Sequence, residues 1–160
     1  MATHASPSLK KEHLEKLILD ELIHIFANTY TLHIKTQSFH WNVTGPHFFS
    51  LHKMFEEQSR ELAESIDSIA ERLRILKVQI PGSFSQLIKL SSIKETKTVP
   101  TAKEMMKHLM HDNEILSHQT HMLRDIAQKA QDDASVELLI ELKRAHEKAA
   151  WMLRSSLELG

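Results

Sequence analysis

Apolar residues recur at spacings of three and four along most of the chain. Leu14, Leu17, Ile18, Leu22, Ile25, Phe26, Thr29 and Leu32 form the first such stripe. Its period is that of a helix with one buried face, and it predicts a helix from an N-cap at Ser8 to about Ser38. Residues 42–46 break the pattern. A second stripe, Phe48, Leu51, Phe55, Leu62, Ile66, Ile69, Leu73 and Leu76, predicts a helix to about Val78. Pro46 suits its first turn, where a missing N–H is harmless, and Pro81-Gly82 ends it. Residues 83–91, SFSQLIKLS, read as a short helix inside a long connection. Thr101-x-x-Glu104 is a capping box that opens a third long helix, with Met105, Leu109, Ile115, Leu116, Leu123 and Ile126 on its apolar face. Asp132-Asp133 ends that helix and caps a fourth, which carries Val136, Leu139, Ile140, Trp151, Leu153 and Leu157. Strand alternation and internal repeats are absent. The fold class expected is an all-α four-helix bundle with one small extra helix in the loop between the second and third long helices.

Three glycines and four prolines in 160 residues agree with long uninterrupted helices. The length suits one domain, residues 8–160, behind a polar tail of residues 1–7. Twenty basic and 21 acidic side chains leave a net charge of −1, which gives no electrostatic drive toward nucleic acid or a membrane surface. There is no cysteine, so thiolate and disulfide chemistry are excluded. The N-terminal residues lack the apolar run of a signal peptide, and no window approaches the ~18 apolar residues of a membrane span. A cytoplasmic location is expected. Twelve histidines are many, and histidine is the commonest metal ligand.

Five candidate ligands lie between residues 40 and 71: His40, His52, Glu56, Asp67 and Glu71. At about 100° per residue, the last four share one helix face, at roughly 0°, 40°, 60° and 100° from His52. His52 and Glu71 are nevertheless about 28 Å apart along a helix, so one helix cannot bring them to one ion. The pairs His52/Glu71 and Glu56/Asp67 have the same midpoint, between Glu61 and Leu62. Two antiparallel copies centred there would set His52 beside the partner's Glu71 and Glu56 beside the partner's Asp67. The isologous two-fold is the commonest oligomer contact. Antiparallel packing of the first two helices would add His40. Imidazole with carboxylate suits iron, and a thiolate-free site also admits zinc and manganese. A site inside one bundle would need Glu-x-x-His on two helices. Only Glu21-x-x-His24 has that form, and it reads as structural or surface. His108, His111, His118 and His121 on the third long helix form either a solvated face or a surface zinc or copper site, and Met105, Met106, Met110 and Met122 read as core filler.

The stretches F-H-W-N-V-T-G-P-H-F-F-x-L-H-x-x-F-E-E, S-I-D-S-I-A-E-R-L and A-A-W-M-L resemble the Dps family, the mini-ferritins. The helix order resembles it too, because a long crossover between the second and third helices marks ferritin-like bundles. The resemblance spans nearly the whole chain. It implies a hollow homododecamer that oxidises Fe(II), with hydrogen peroxide or oxygen, and stores ferric mineral, protecting DNA from oxidative damage. Carried residue by residue, it implies ligands His40, His52 and Glu56 from one subunit and Asp67 and Glu71 from its two-fold mate. Glu56 stands where many members have aspartate, and its extra methylene either reaches a second ion directly or shifts a bridging water. Trp41 matches the tryptophan beside the centre, or serves as a core aromatic. The acidic start of the fourth helix, Asp132, Glu137 and Glu141, matches the region that lines cation pores in the family. Its aspartates equally suit a helix N-terminus. The alternative within the family is a nucleoid-associated shell that protects DNA by binding it. The N-terminus offers Lys10 and Lys11 and no arginine, so DNA contact is expected to be weak and to depend on avidity.

Overall fold

The computed structural model describes residues 7–158, with side chains from Lys10 onward. Residues 1–6 of the expected tail lie outside the described residues. Pro7 and Ser8 are already helical, so the helix does not begin with an N-cap at Ser8. Five helices follow in order: α1 (Pro7–Asn42), α2 (Phe48–Ile75), α3 (Phe84–Leu90), α4 (Ala102–Lys129) and α5 (Asp133–Leu157). No strand occurs among the described residues.

Cross-helix contacts fix the directions. Lys35 meets Asp112 and Asn28 meets Gln119, so α1 and α4 run antiparallel. Lys148 meets Glu61 and Arg72 meets Ser135, so α2 and α5 do too. The hairpins α1–α2 and α4–α5 therefore stand side by side, and the connection through α3 crosses the length of the bundle. The core joins residues from all five helices, including Leu22, Phe55, Leu73, Leu87, Leu116 and Leu139.

Two helix boundaries differ from those expected. Helix α1 continues four residues past Ser38, its last turn closed by Val43 N–H donating to the Phe39 carbonyl at 2.9 Å. His40 and Trp41 are therefore helical, and Pro46 lies just before the N-cap His47 instead of in the first turn of α2. The chain reverses at Gly45, whose φ of 108° is open to glycine without strain. Helix α2 stops at Ile75, three residues short of Val78. Lys77 has φ 66°, and Val78 N–H bonds the Leu73 carbonyl while Lys77 N–H bonds that of Arg74. This is a Schellman end with lysine at the position glycine usually takes. Gln131, at φ 59°, ends α4 in the same way. The capping box of Thr101 and Glu104 is formed as expected.

The long crossover is held by Asn28 of α1, which is fully buried. Its Oδ1 accepts from the Ser92 backbone N–H at 2.7 Å and from the Ser91 hydroxyl at 2.9 Å, and its Nδ2 donates to Gln119. His24 adds an Nδ1–H bond to the Leu90 carbonyl, which gives it a structural role. Deeper in the bundle, Lys35 Nζ lies 2.6 Å from Asp112 Oδ2, with the two side chains 6% and 8% exposed.

His146 of α5 is likewise buried, and burial pushes its pKa from 6.5 down to about 4. Between those values the unfolded chain takes up a proton that the folded chain refuses. The stability that depends on neutral His146 is full above pH 6.5 and is lost as pH falls through about 4, a total of about 3 kcal/mol. Denaturant unfolding at pH 7.5 and pH 5 is expected to show wild type losing about 2 kcal/mol more than His146→Leu over that interval. Equal losses would mean that His146 titrates as in the unfolded chain.

Candidate metal centre

The end of α1 and the start of α2 are joined by only five residues, 43–47, so the hairpin brings His40 against His52. Their rings stack with centroids 3.9 Å apart and planes 21° from parallel, and Phe48 stacks on His52 at 5.1 Å. Each Nδ1 lies 2.8 Å from the other residue's backbone carbonyl. A carbonyl oxygen only accepts, so both Nδ1 atoms carry hydrogen. In the neutral ring that leaves Nε2 as a bare lone pair, the form a metal takes up. The His40 carbonyl is one of the last four of α1, which have no donor within their own helix, so the His52 contact also finishes the helix end. Backbone bonds of this type fix the tautomer and orientation of metal-binding histidines.

Glu56 follows one turn after His52. Lys53 Nζ is 2.9 Å from its carboxylate and an Arg60 nitrogen is 3.7 Å away. The Lys53 hydrogen bond and charge hold this half-buried carboxyl below the usual range. Asp67 and Glu71 are exposed further along α2, and neither has an ion-pair partner among the described residues. Within one chain, no three His, Asp or Glu side chains among the described residues gather closely enough to hold a metal ion. The hairpin thus brings His40 and His52 together with Glu56 nearby, and leaves Asp67 and Glu71 apart from them.

Trp41 is 66% exposed, which removes the core-aromatic reading. Asp132 has work inside the chain: it accepts from Ser135 N–H as the N-cap of α5 and pairs with Arg72. This is the helix N-terminus role expected for the aspartates. Glu137 and Glu141 are exposed along α5. His118 and His121 line a groove between α4 and α5 with Glu114 and Glu147, but the carboxylates are engaged by Arg154 and Lys143. No described helix is long and apolar enough to cross a membrane.

The ferritin-like domain family matches residues 19–160. A DNA protection during starvation protein of Brevibacillus brevis is 34% identical over 148 residues, covering 92% of this chain and 99% of that protein. The chain belongs to the Dps family. A low temperature-induced protein of Nostoc sp. is 40% identical over 137 residues, covering 82% of this Dps chain and 75% of the relative. The solved structure of a Dps protein from Vibrio cholerae O1, described as a member of a broad superfamily of ferritin-like diiron-carboxylate proteins, matches with a TM-score of 0.86 and 31% identity, covering 91% of each chain. The five-helix architecture is therefore the Dps form of the ferritin-like fold.

Buried polar side chains were the residues missed in the sequence. Lys35, Gln58, Asp112, Asn113 and His146 all lie inside the bundle. Each stands in phase with an apolar stripe: Asp112 falls between Leu109 and Leu116, and His146 between Leu142 and Leu153. That phase was the available signal.

Proposed function

We propose that this Dps-family chain is a ferroxidase that oxidises Fe(II) with hydrogen peroxide at sites shared between two-fold mates and stores the ferric product inside a homododecamer. The observation that carries the reading is the mutual locking of His40 and His52, which leaves each neutral ring with its Nε2 lone pair unused by the chain. Stacking and backbone bonds hold the two rings before any substrate arrives. Glu56 supplies an ionised carboxylate from the same subunit. Asp67 and Glu71 of the partner subunit supply the other half.

The subunit surface supports a mate across this face. Ile34, Trp41, Phe84 and Ile88 are exposed apolar side chains on α1 and α3, an arrangement that marks an interaction surface. A mate centred between Glu61 and Leu62 also brings exposed Phe48 level with exposed Ile75 of the partner subunit.

The chemistry suits such a donor set. Imidazole and carboxylate bind Fe(II) and stabilise Fe(III). Two Fe(II) ions each give one electron to one peroxide, the O–O bond breaks, and two protons complete two waters. Holding the ions and the oxidant together makes the two-electron reduction faster than release of a one-electron radical. Glu137 and Glu141 would lower the potential for cations along α5 and favour Fe(II) uptake.

The test is an anaerobic Fe(II) titration with peroxide on protein of known native mass. Twelve copies of 18.5 kDa give about 220 kDa. About two Fe(II) should be consumed per peroxide, with no spin-trapped hydroxyl radical. One-to-one consumption with radical release, or no iron-dependent absorbance change, would exclude the reading.

A further inference from the structure

A second polar site lies inside the subunit, between α2, α4 and α5. Gln58, Leu62, Asn113 and His146 line a cavity of about 10 Å³, close to the volume one water needs. Gln58 is 5% exposed and His146 2%. The hydrogen bonds around them have only one consistent direction. Asn113 Nδ2 donates to the Leu109 carbonyl at 2.8 Å, so its Oδ1 is the atom that faces His146. That oxygen only accepts, so His146 Nδ1, 2.8 Å away, carries the hydrogen. Nε2 of the neutral ring is then a lone pair in need of a donor. It has no partner among the described residues, and neither does the Gln58 oxygen or nitrogen.

These atoms define their ligand. It must donate to His146 Nε2, exchange hydrogen bonds with an amide, and fit a space of about one water. A divalent cation would satisfy Nε2 and the Gln58 oxygen but leave the Gln58 N–H groups unanswered. The carboxylate lining the cavity, Glu61, is already 3.1 Å from Lys148, so no free anion offsets the added charge.

We propose that the Gln58–His146 cavity is an ordered-water site, in which water donates to His146 Nε2 and bridges to the Gln58 amide. The bridge extends a hydrogen-bonded chain from the Leu109 carbonyl through Asn113 and His146 to Gln58. It ties α4 and α5 to α2 between the two halves of the ferroxidase ligand set, two residues past Glu56. The rotation of α2 about its axis, which aims both halves outward, is held there by a polar contact as well as by packing. This site stands independently of the ferroxidase reading.

A high-resolution crystal structure of the assembled wild-type protein, collected with and without a Zn(II) soak, tests it first. Density for water within hydrogen-bond distance of His146 Nε2 and the Gln58 amide, without anomalous signal, is expected. A dry cavity with Gln58 bonded directly to His146, or an anomalous zinc peak there, overturns the proposal. Thermal unfolding of the assembled protein gives a second measure. Gln58→Met and His146→Met should each lower the melting temperature by roughly 4 °C, and the double variant by clearly less than the sum. Additive losses would mean that the two residues share no water.

Discussion

Mixing His52→Ala subunits with Asp67→Ala subunits is expected to restore ferroxidase activity that neither variant has alone. Loss of an outer-shell partner of a metal site already costs about 10–100-fold, so removal of a ligand should cost each homo-oligomer at least ~100-fold in peroxide-driven Fe(II) oxidation. In a mixed dimer the two defects fall unequally. One shared site loses both His52 and Asp67, and the other keeps both. Unfolding the two variants together and refolding them should form mixed dimers in half of the pairs, which returns about a quarter of the wild-type sites. A centre contained in one subunit cannot be rescued in this way, because every copy would carry its own defect. Activity of the refolded mixture no higher than that of the two variants would therefore exclude a shared site, even if the protein still oxidised iron.

Asp112→Ala is expected to destabilise the subunit by about 3–5 kcal/mol, the penalty for leaving one charge of a buried pair uncompensated. Lys35, whose side chain is 6% exposed, would be left in the bundle core without its partner. The double variant Lys35→Met/Asp112→Leu should recover most of that loss, because apolar replacements of similar volume do not need the desolvated charges to be matched. Urea unfolding of the wild type and the two variants measures both the loss and its recovery. If Asp112→Ala alone costs less than about 1 kcal/mol, the pair is solvated in solution and not part of the core.

The helix pattern was legible because apolar spacing reports burial directly. The limits of α1 and α2 were less so. Residues 39–42 carry no breaker, so nothing in the chain marks where the helix yields to Gly45, and a Schellman end built on Lys77 lacks the glycine that usually announces it. The common midpoint on which the proposed pairing of the half-sites rests was legible, a property of residue numbers alone. The locking of His40 and His52 was not, since it depends on the approach of two helix ends and on which carbonyl lacks a donor. The ion pair of Asp132 was hidden as well, because its partner Arg72 lies sixty residues earlier in the chain.

The reciprocal contact of His40 and His52 has a mechanical consequence. A cation taken up at either Nε2 draws electron density from that ring and makes its Nδ1–H a stronger donor to the carbonyl on the other helix. In the proposed centre, loading and hairpin closure would then be thermodynamically linked: a cation bound there would tighten the joint between α1 and α2, and a looser joint would weaken the hold on it by the same factor. Residues 43–47 would behave as a hinge whose stiffness reports occupancy.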